Sequence, residues 1–519
     1  MHRCLQVDEV VARICDKLSR RSALALALTN KALFEPAMDH CWRDLTSFWP
    51  LVSCLPEDLL EEEPVVEDSN RPSRMMHLRR MVSASDLQRY IITYARRIRS
   101  FRPHPHQAKH WLSNETLQAI QLVTGRQPGV LSPLLKTFQM PTPGKYQWYL
   151  HDGFANQLAP CMGLFVGPHV TSLEFTSLGD CHLYCHAIKS FTDTTNLKQL
   201  SIRAGREDFV QDYLTSFSWD HLQELTLYSG LFELQATDAL MQHLSSLPQL
   251  TKLNMARIDL SELQEDQTAP SRDRFPALRH LVLSKVDVPR ILQCLPPTNQ
   301  VARLECHVTR GTTKDIITSI GAHCNPLTLK LLEIEELGAT WPLFQEGTRD
   351  PEGLEPQHDE IGIEPLLKFH LQFVDIRVWN TIQVTPSQVE RLISTWRSVK
   401  RIHLYSVGTT TRTPSIDHSH ILAIASSCKS LKQLGLRFDA SKITSETTAP
   451  SPGHPRLRRL YVGDSPIYSP SAVRGFLHAA FPSLKDIRYR SGCNWHIPIF
   501  KDRWKDVCGD DYQRTSWAQ

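Results

Sequence analysis

The stretch "LRHLVL", residues 278–283, sets Leu278, Leu281 and Leu283 at intervals of three and then two. Scored as apolar, two of any kind, apolar, one of any kind, apolar, the phrase gives thirteen hits in one register along the chain. It starts at Leu135, Val170, Leu197, Leu222, Leu250, Leu278, Val301, Leu329, Leu366, Val399, Leu431, Leu457 and Leu484. Successive starts lie 35, 27, 25, 28, 28, 23, 28, 37, 33, 32, 26 and 27 residues apart. Steps of that size hold a short strand, a return helix and two turns, which is the period of a solenoid.

On a strand, the last two apolar positions of the phrase share one face and the residue between them points to the other. Segments between phrases, such as DALMQHLSSLP, IITSIGAHCNP, VERLISTWRS, ILAIASSCKS and VRGFLHAAFPSL, space their apolar residues three or four apart, as at Leu240, Leu244 and Leu247. That is the spacing of a helix face. One unit cannot cover its own strand leucines, whereas stacked units bury them at roughly 1.5–3 kcal/mol per large side chain. A doubly wound sheet would need near-continuous Val and Ile strands and a glycine-rich phosphate turn. The chain has neither.

Residues 135–489, and more weakly the chain from Ile98, resemble the leucine-rich repeat family. The likeness is to its cysteine-containing subtype, in which a helix ends in Cys shortly before the next strand, as at Cys324 and Cys428. The family's Asn or Cys after the second apolar position is mostly missing here. The longer steps imply insertions, clearest in TWPLFQEGTRDPEGLEPQHDEIG at 340–362.

Length and composition agree with a repeat array. At 519 residues the chain exceeds one ordinary core. With 41 % hydrophobic and 22 % charged residues it is globular in composition, and a net charge of +3 does not suggest nucleic acid as a partner. The opening MHRCLQVDEV carries Asp8 and Glu9 where a secretory signal needs an apolar core, and ALALAL at 23–28 is too short to span a bilayer. Thirteen scattered cysteines read as free thiols in the cytosol or nucleus.

The first fifty residues follow another pattern. VDEVVARICDKL places Val7, Val10, Ile14 and Leu18 on one helical face, Ser22 is a candidate N-cap for a second helix, and Pro36 a candidate opening for a third that runs to Trp42. Three such helices bury little alone, so an apolar face is left that wants a partner. Glu9, Val10, Ile14, Leu18, the run Leu24 to Leu28, Asn30, Lys31, Phe34, Trp42 and Arg43 resemble an F-box, although Gln6 and Val7 stand where that motif has Leu-Pro. The resemblance implies docking on the Skp adaptor of a Skp-cullin-F-box ubiquitin ligase through Val10, Ile14, Leu24, Leu28 and Trp42. The second reading is an N-terminal helical cap of the repeats. LPEDLL at 55–60 mimics the missing opening but reads as linker, since EEEPVVEDSNRPSR after it has no helical spacing.

Residues 55–68 contain seven acidic and no basic side chains, and 71–110 contain ten Lys or Arg against Asp86 alone. Either RYIITYARRIRSFRPHPHQAKH takes an acidic partner, or the acidic loop folds back near the basic face in exposed pairs of roughly 0.2–1 kcal/mol each.

Solvent-facing strand positions are those flanking the middle apolar residue. From Val170 to Leu329 they carry Lys252 and Arg303 against Glu174, Glu224, Glu305 and Glu333, and from Leu366 onward Lys368, Arg401, Arg459 and Arg488 against Asp486, with His370 and His403 between. Lys368, His370, Arg401, His403, Arg459 and Arg488 are thus the candidate binding residues for an acidic or phosphorylated protein. The alternative is that strand positions facing water simply take charged residues.

No catalytic, metal or cofactor site is assigned. CHLYCH at 181–186 and His104, His106 and His110 are half-sites without partners, and no phosphate loop, G-x-S-x-G or H-E-x-x-H occurs. An enzyme with an unrecognised Cys and His pair, and an interaction scaffold without a ligase, stay open beside the ligase receptor. The fold class expected is α/β: an F-box-like three-helix module at 1–46, a charged connector at 47–95, an irregular leucine-rich-repeat solenoid of horseshoe type at 96–492, and a tail at 493–519.

Overall fold

A computed structural model describes residues 7–65, 73–103, 110–139, 159–176, 196–204, 208–229, 234–261, 274–309, 312–336, 360–406, 412–448, 453–489 and 498–508. The chain divides into two compact units, Met1–Leu250 and Thr251–Gln519, each of mixed α/β, repeat-like construction around a parallel sheet.

In the second unit nine strands follow in chain order: Lys252–Ala256, His280–Ser284, Arg303–Val308, Leu331–Glu336, Phe373–Val378, Arg401–Ser406, Gln433–Gly435, Arg459–Gly463 and Asp486–Tyr489. The recurring phrase sets their register. Leu253, Leu281, Leu304, Leu332, Val374, Ile402, Leu434, Leu460 and Ile487 stand opposite one another in one row, and Met255, Leu283, Cys306, Ile334, Ile376 and Leu404 form a second. Every member of both rows is buried. Helices Val288–Gln293, Thr313–His323, Pro386–Thr395, His418–Ser427 and Pro470–Ala480 alternate with strands. Cys324 and Cys428 are helix C-caps, both buried, and the Cys428 thiol donates to the Trp396 carbonyl at 3.5 Å, tying one helix end to the previous one.

One phrase is corrected. Leu366 starts no strand; it lies in a 3-10 helix, Glu364–Lys368, and the strand belongs to the overlapping phrase Leu371, Val374, Ile376. Pro365 fixes the earlier segment, and the β-branched Val374, Ile376 and Val378 favour the later one. Gly321 makes the arrangement possible: a Cβ there would stand 2.6 Å from Pro365 Cβ, so only glycine lets the helix approach.

The region 493–519 also holds more than a tail. Helix Pro498–Cys508 buries Trp504 and Val507, with Trp504 Nε1 donating to Ser465 O at 2.8 Å and Arg503 to Ile467 O at 2.8 Å. It covers the apolar end that the last repeat would expose.

The first unit uses the same register over Leu45, Phe101, Phe138, Leu173, Leu200 and Leu225, all buried. Three helices precede its sheet: α1 (Asp8–Cys15), α2 (Arg20–Ala27) and α3 (Lys31–Arg43). Two expected boundaries shift. Ser19 caps α2 by accepting from Ser22 N at 3.2 Å, and Asn30 caps α3 by accepting from Ala32 N at 2.9 Å, which leaves Pro36 inside the helix. Residues 47–95 hold a short helix, Trp49–Val52, an antiparallel hairpin of Leu60–Val65 with Ser73–Leu78, and helix Ala84–Thr93 with a Ser83/Asp86 capping box. Leu55 and Leu59 of the LPEDLL stretch are buried, so it is packed chain rather than linker. Across the hairpin the acidic and basic runs meet, with Arg74 on Glu62, Arg79 on Glu61 at 3.5 Å and Arg80 on Asp58 at 2.7 Å.

Two substitutions test this packing. Leu281→Asp sets an unpaired carboxylate between rows and should cost several kcal/mol. Trp504→Ala should cost about 3–5 kcal/mol. Denaturant melts of both variants check the register and the end cap, and unchanged midpoints would contradict them.

Candidate interaction surfaces

The core of the three-helix unit is Val11, Cys15, Ala27, Leu33, Ala37 and Met38, against which Trp42 and Tyr94 also pack. Burying positions 11 and 15 of α1 turns the neighbouring positions outward. Val10, Ile14, Leu24 and Leu28 are accordingly 36, 39, 48 and 78 % exposed, and Val7 and Phe34 are exposed with them. Trp42, the fifth residue assigned to adaptor docking, points inward instead. Its ring stacks on Tyr94 at 4.2 Å and meets Tyr90 edge-on at 6.2 Å.

The inward side of the unit is fastened by a buried cation. Arg97 is 4 % exposed; it pairs with Glu35 at 2.6 Å and with Asp39, and donates to Thr93 O at 2.9 Å. Two carboxylates of α3 and the ring of Trp42 thus face the chain, while the apolar residues of α1 and α2 do not.

The second surface is the uncovered face of the nine-strand sheet. Register places Glu305, Glu333, Asp375, His403, Gly435, Tyr461 and Arg488 in one row. Beside it run Arg303, Leu331, Phe373, Arg401, Gln433, Arg459 and Asp486. Of the six residues predicted to bind, Lys368 and His370 lie outside this face. Lys368 Nζ donates to Gly321 O, and His370 Nδ1 lies 3.2 Å from Thr395 O. The other four are on the face, and they have internal partners. Asp375, 7 % exposed in its side chain, takes Arg377 at 2.8 Å, His403 at 2.9 Å and Arg401 at 3.4 Å. Arg488 lies 2.6 Å from Asp486, while Arg459 approaches that carboxylate only to 3.9 Å.

Burial alone would raise the Asp375 carboxyl, but the hydrogen bond and charge of His403, then those of Arg377, hold it well below the usual carboxylate range. Glu333 has like charges on both sides in the row; burial and then Asp375 push its carboxyl up. The hydrogen bond from His307 holds Glu335 down, and Glu335 in turn raises His307. The expected swing from acidic to basic along the face is replaced by paired charges centred on Asp375. Asp375, Arg377 and Tyr461 escaped the sequence reading because the Leu366 register concealed the first two.

Gly435 has a specific role in this row. A Cβ there would stand 2.2 Å from the His403 ring, and in its absence His403 and Tyr461 meet across the strand at 4.5 Å between ring centroids. Arg488 lies over the Tyr461 ring, 5.4 Å from its centroid.

CHLYCH and His104 and His106 fall outside the described residues. The His110 ring lies against Trp49, tilted, with centroids 4.3 Å apart, and is 3.6 Å from Glu62. Among the described residues no group of three or more His, Cys, Asp or Glu is arranged to hold a metal ion. Burial pushes the thiols of Cys161 and Cys428 up to about 11 and those of Cys324 and Cys508 to about 12, so these four are not thiolates at neutral pH.

No protein-family model and no curated protein matches the sequence. Among solved structures, the chain is similar to one in the crystal structure of the Rad7 and Elc1 complex in yeast, with 16 % identity and a TM-score of 0.33 over 73 % of this chain and 80 % of that one. A likeness that distant carries no argument about fold or function.

Asp375→Asn tests the charge centre. It leaves Arg377, Arg401 and His403 without their shared carboxylate and should cost about 3 kcal/mol at neutral pH, the lower end for a buried pair because the partners are partly exposed. A carboxyl lowered on folding stabilises above its unfolded pKa, about 3.9, and that stability is lost as pH falls below it. Melting temperatures of wild type and variant should therefore converge between about pH 5 and pH 2. A constant gap would show that Asp375 contributes by packing alone.

Proposed function

We propose that this chain is the substrate-recognition subunit of a Skp-cullin-F-box ubiquitin ligase. Its three helices are the F-box and hold the Skp adaptor through Val10, Ile14, Leu24 and Leu28. Its sheet face, the concave side of a leucine-rich-repeat horseshoe, captures a protein for ubiquitination and degradation. The chain catalyses nothing. Holding a substrate lysine beside a charged ubiquitin carrier, brought by the cullin, supplies the rate through proximity.

The observation that carries this reading is the set of apolar side chains left open on a three-helix unit whose other side is anchored by Arg97 and Trp42. An isolated exposed leucine is ordinary, but exposed apolar residues grouped as helical neighbours mark an interaction surface. A cap of the repeats would turn those residues toward the chain. The cysteines among the described residues are free thiols, which agrees with a cytosolic or nuclear protein.

A pull-down with purified Skp adaptor tests the reading. Wild type should bind, and Ile14→Asp with Leu28→Asp should not while keeping its melting temperature. No binding by folded wild type would make the helices a cap and the protein a scaffold.

For the substrate, Arg401 and Arg459 keep the most open side chains among the four predicted residues on the face, 38 and 42 % exposed. They flank Gln433 on adjacent strands and suit an acidic or phosphorylated protein. Changing both to Glu should alter the set of co-purified proteins, whereas Lys368→Glu, off the face, should not. Identical sets from both variants would remove the sheet face from substrate choice.

A further inference from the structure

The exposed apolar residues of the three-helix unit are edged by cations in a pattern that the packing itself produces. Along α1, Arg13 follows Val10 by three residues, and just past the helix end, in the turn, Lys17 follows Ile14 by three. Along α2, Arg20 and Arg21 precede Leu24 by four and three, and along α3 Lys31 precedes Phe34 by three. Residues three and four apart are surface neighbours on a helix, so Val10, Leu24 and Phe34 each have a cation beside them on their own helix, and Ile14 has Lys17 in the turn that follows it. Arg13, Lys17, Arg20, Arg21 and Lys31 are all exposed, and none makes an ion pair among the described residues.

The carboxylates go elsewhere. Asp16 is paired with Arg43 at 2.7 Å, and Glu35 and Asp39 are both held by Arg97. Among the described side chains of these helices Glu9 is the exception, exposed and four residues before Arg13. Sequence alone presents these helices as nearly neutral. Folding separates the charges, with most acids turned to arginines of the chain and the cations left around the apolar patch.

Resting on the ligase reading above, we infer that this face is built for a protein whose apolar groove is rimmed with carboxylates, and that the rim sets the speed and selectivity of docking. Apolar contact supplies the lifetime of such a complex; complementary charge steers the encounter and rejects basic competitors. An acidic protein fits better than an anionic membrane. Val10, Ile14 and Phe34 keep well under half of their surface open, seated among folded helices of eight and thirteen residues, whereas a bilayer-bound helix sinks a whole apolar face among the acyl chains.

Association of the full chain with purified Skp adaptor would be followed at about 50 and about 500 mM NaCl, where screening differs strongly. The wild-type association rate should fall at least about tenfold between them. The variant Arg13→Glu, Lys17→Glu, Arg21→Glu should associate at least about tenfold more slowly at low salt, lose most of the salt dependence, and dissociate at nearly the wild-type rate. The Gln versions of the same three changes should fall between, which separates charge from folding. A salt-independent wild type, or an unaffected Glu variant, would overturn the rim while binding lost in Ile14→Asp with Leu28→Asp still upheld the ligase reading. Absence of wild-type binding at either salt would overturn both. Cosedimentation with phosphatidylserine-containing vesicles that the Glu variant abolishes would assign the face to a membrane and overturn the inference.

Discussion

One row of buried side chains governs the second unit: Leu253, Leu281, Leu304, Leu332, Val374, Ile402, Leu434 and Leu460, each opposite the next across a parallel ladder. A parallel pair needs a long crossover, which fixes the spacing of the phrase, and the two-residue alternation then delivers the intervening residues to the other face. That face is free of packing duty, so charged side chains collect there. Their proximity at strand spacing obliges them to pair with each other before any ligand arrives. Asp375 with Arg377, Arg401 and His403 gathered around it follows directly from the leucines behind it.

The same logic of two sides operates on a smaller scale in the three-helix unit. Small residues, Cys15, Ala23, Ala27 and Ala37, are buried beside Val11, Leu33 and Met38, so the helices come close, while Val10, Ile14, Leu24 and Leu28 stay outside. Arg97 then draws carboxylates to the chain side. An apolar surface edged in positive charge is what remains.

Much of this was legible in the sequence because both periods are strong. The phrase located every strand of the sheet from Thr137 onward except one, and helical spacing found α1 and its outward face. The failure at Leu366 has a plain origin: Leu366, Phe369 and Leu371 satisfy the phrase as well as Leu371, Val374 and Ile376 do, and only Pro365 and the β-branched residues separate them. That error of five positions moved Lys368 and His370 onto a face they do not occupy. Ion pairs between strands were not legible, since they depend on register across insertions of unknown length. Nor could helical spacing show that Trp42 turns toward Tyr94, because its partner comes from fifty residues further on.

Cooperativity in a one-dimensional array is only as good as its weakest junction. Strand Gln433–Gly435 is three residues long, and among the described residues no helix follows it before the Arg459 strand. It carries three paired positions to each neighbour, where the strands around the Leu331 strand carry five or six. Within the second unit the ladder is thinnest at that point. The last two repeats and their terminal helix therefore form a segment that can open as its own foldon, with amide protons exchanging ahead of the strands from His280 to Ser406. The array has a built-in seam, and the His403 and Tyr461 rings that meet over Gly435 lie directly across it.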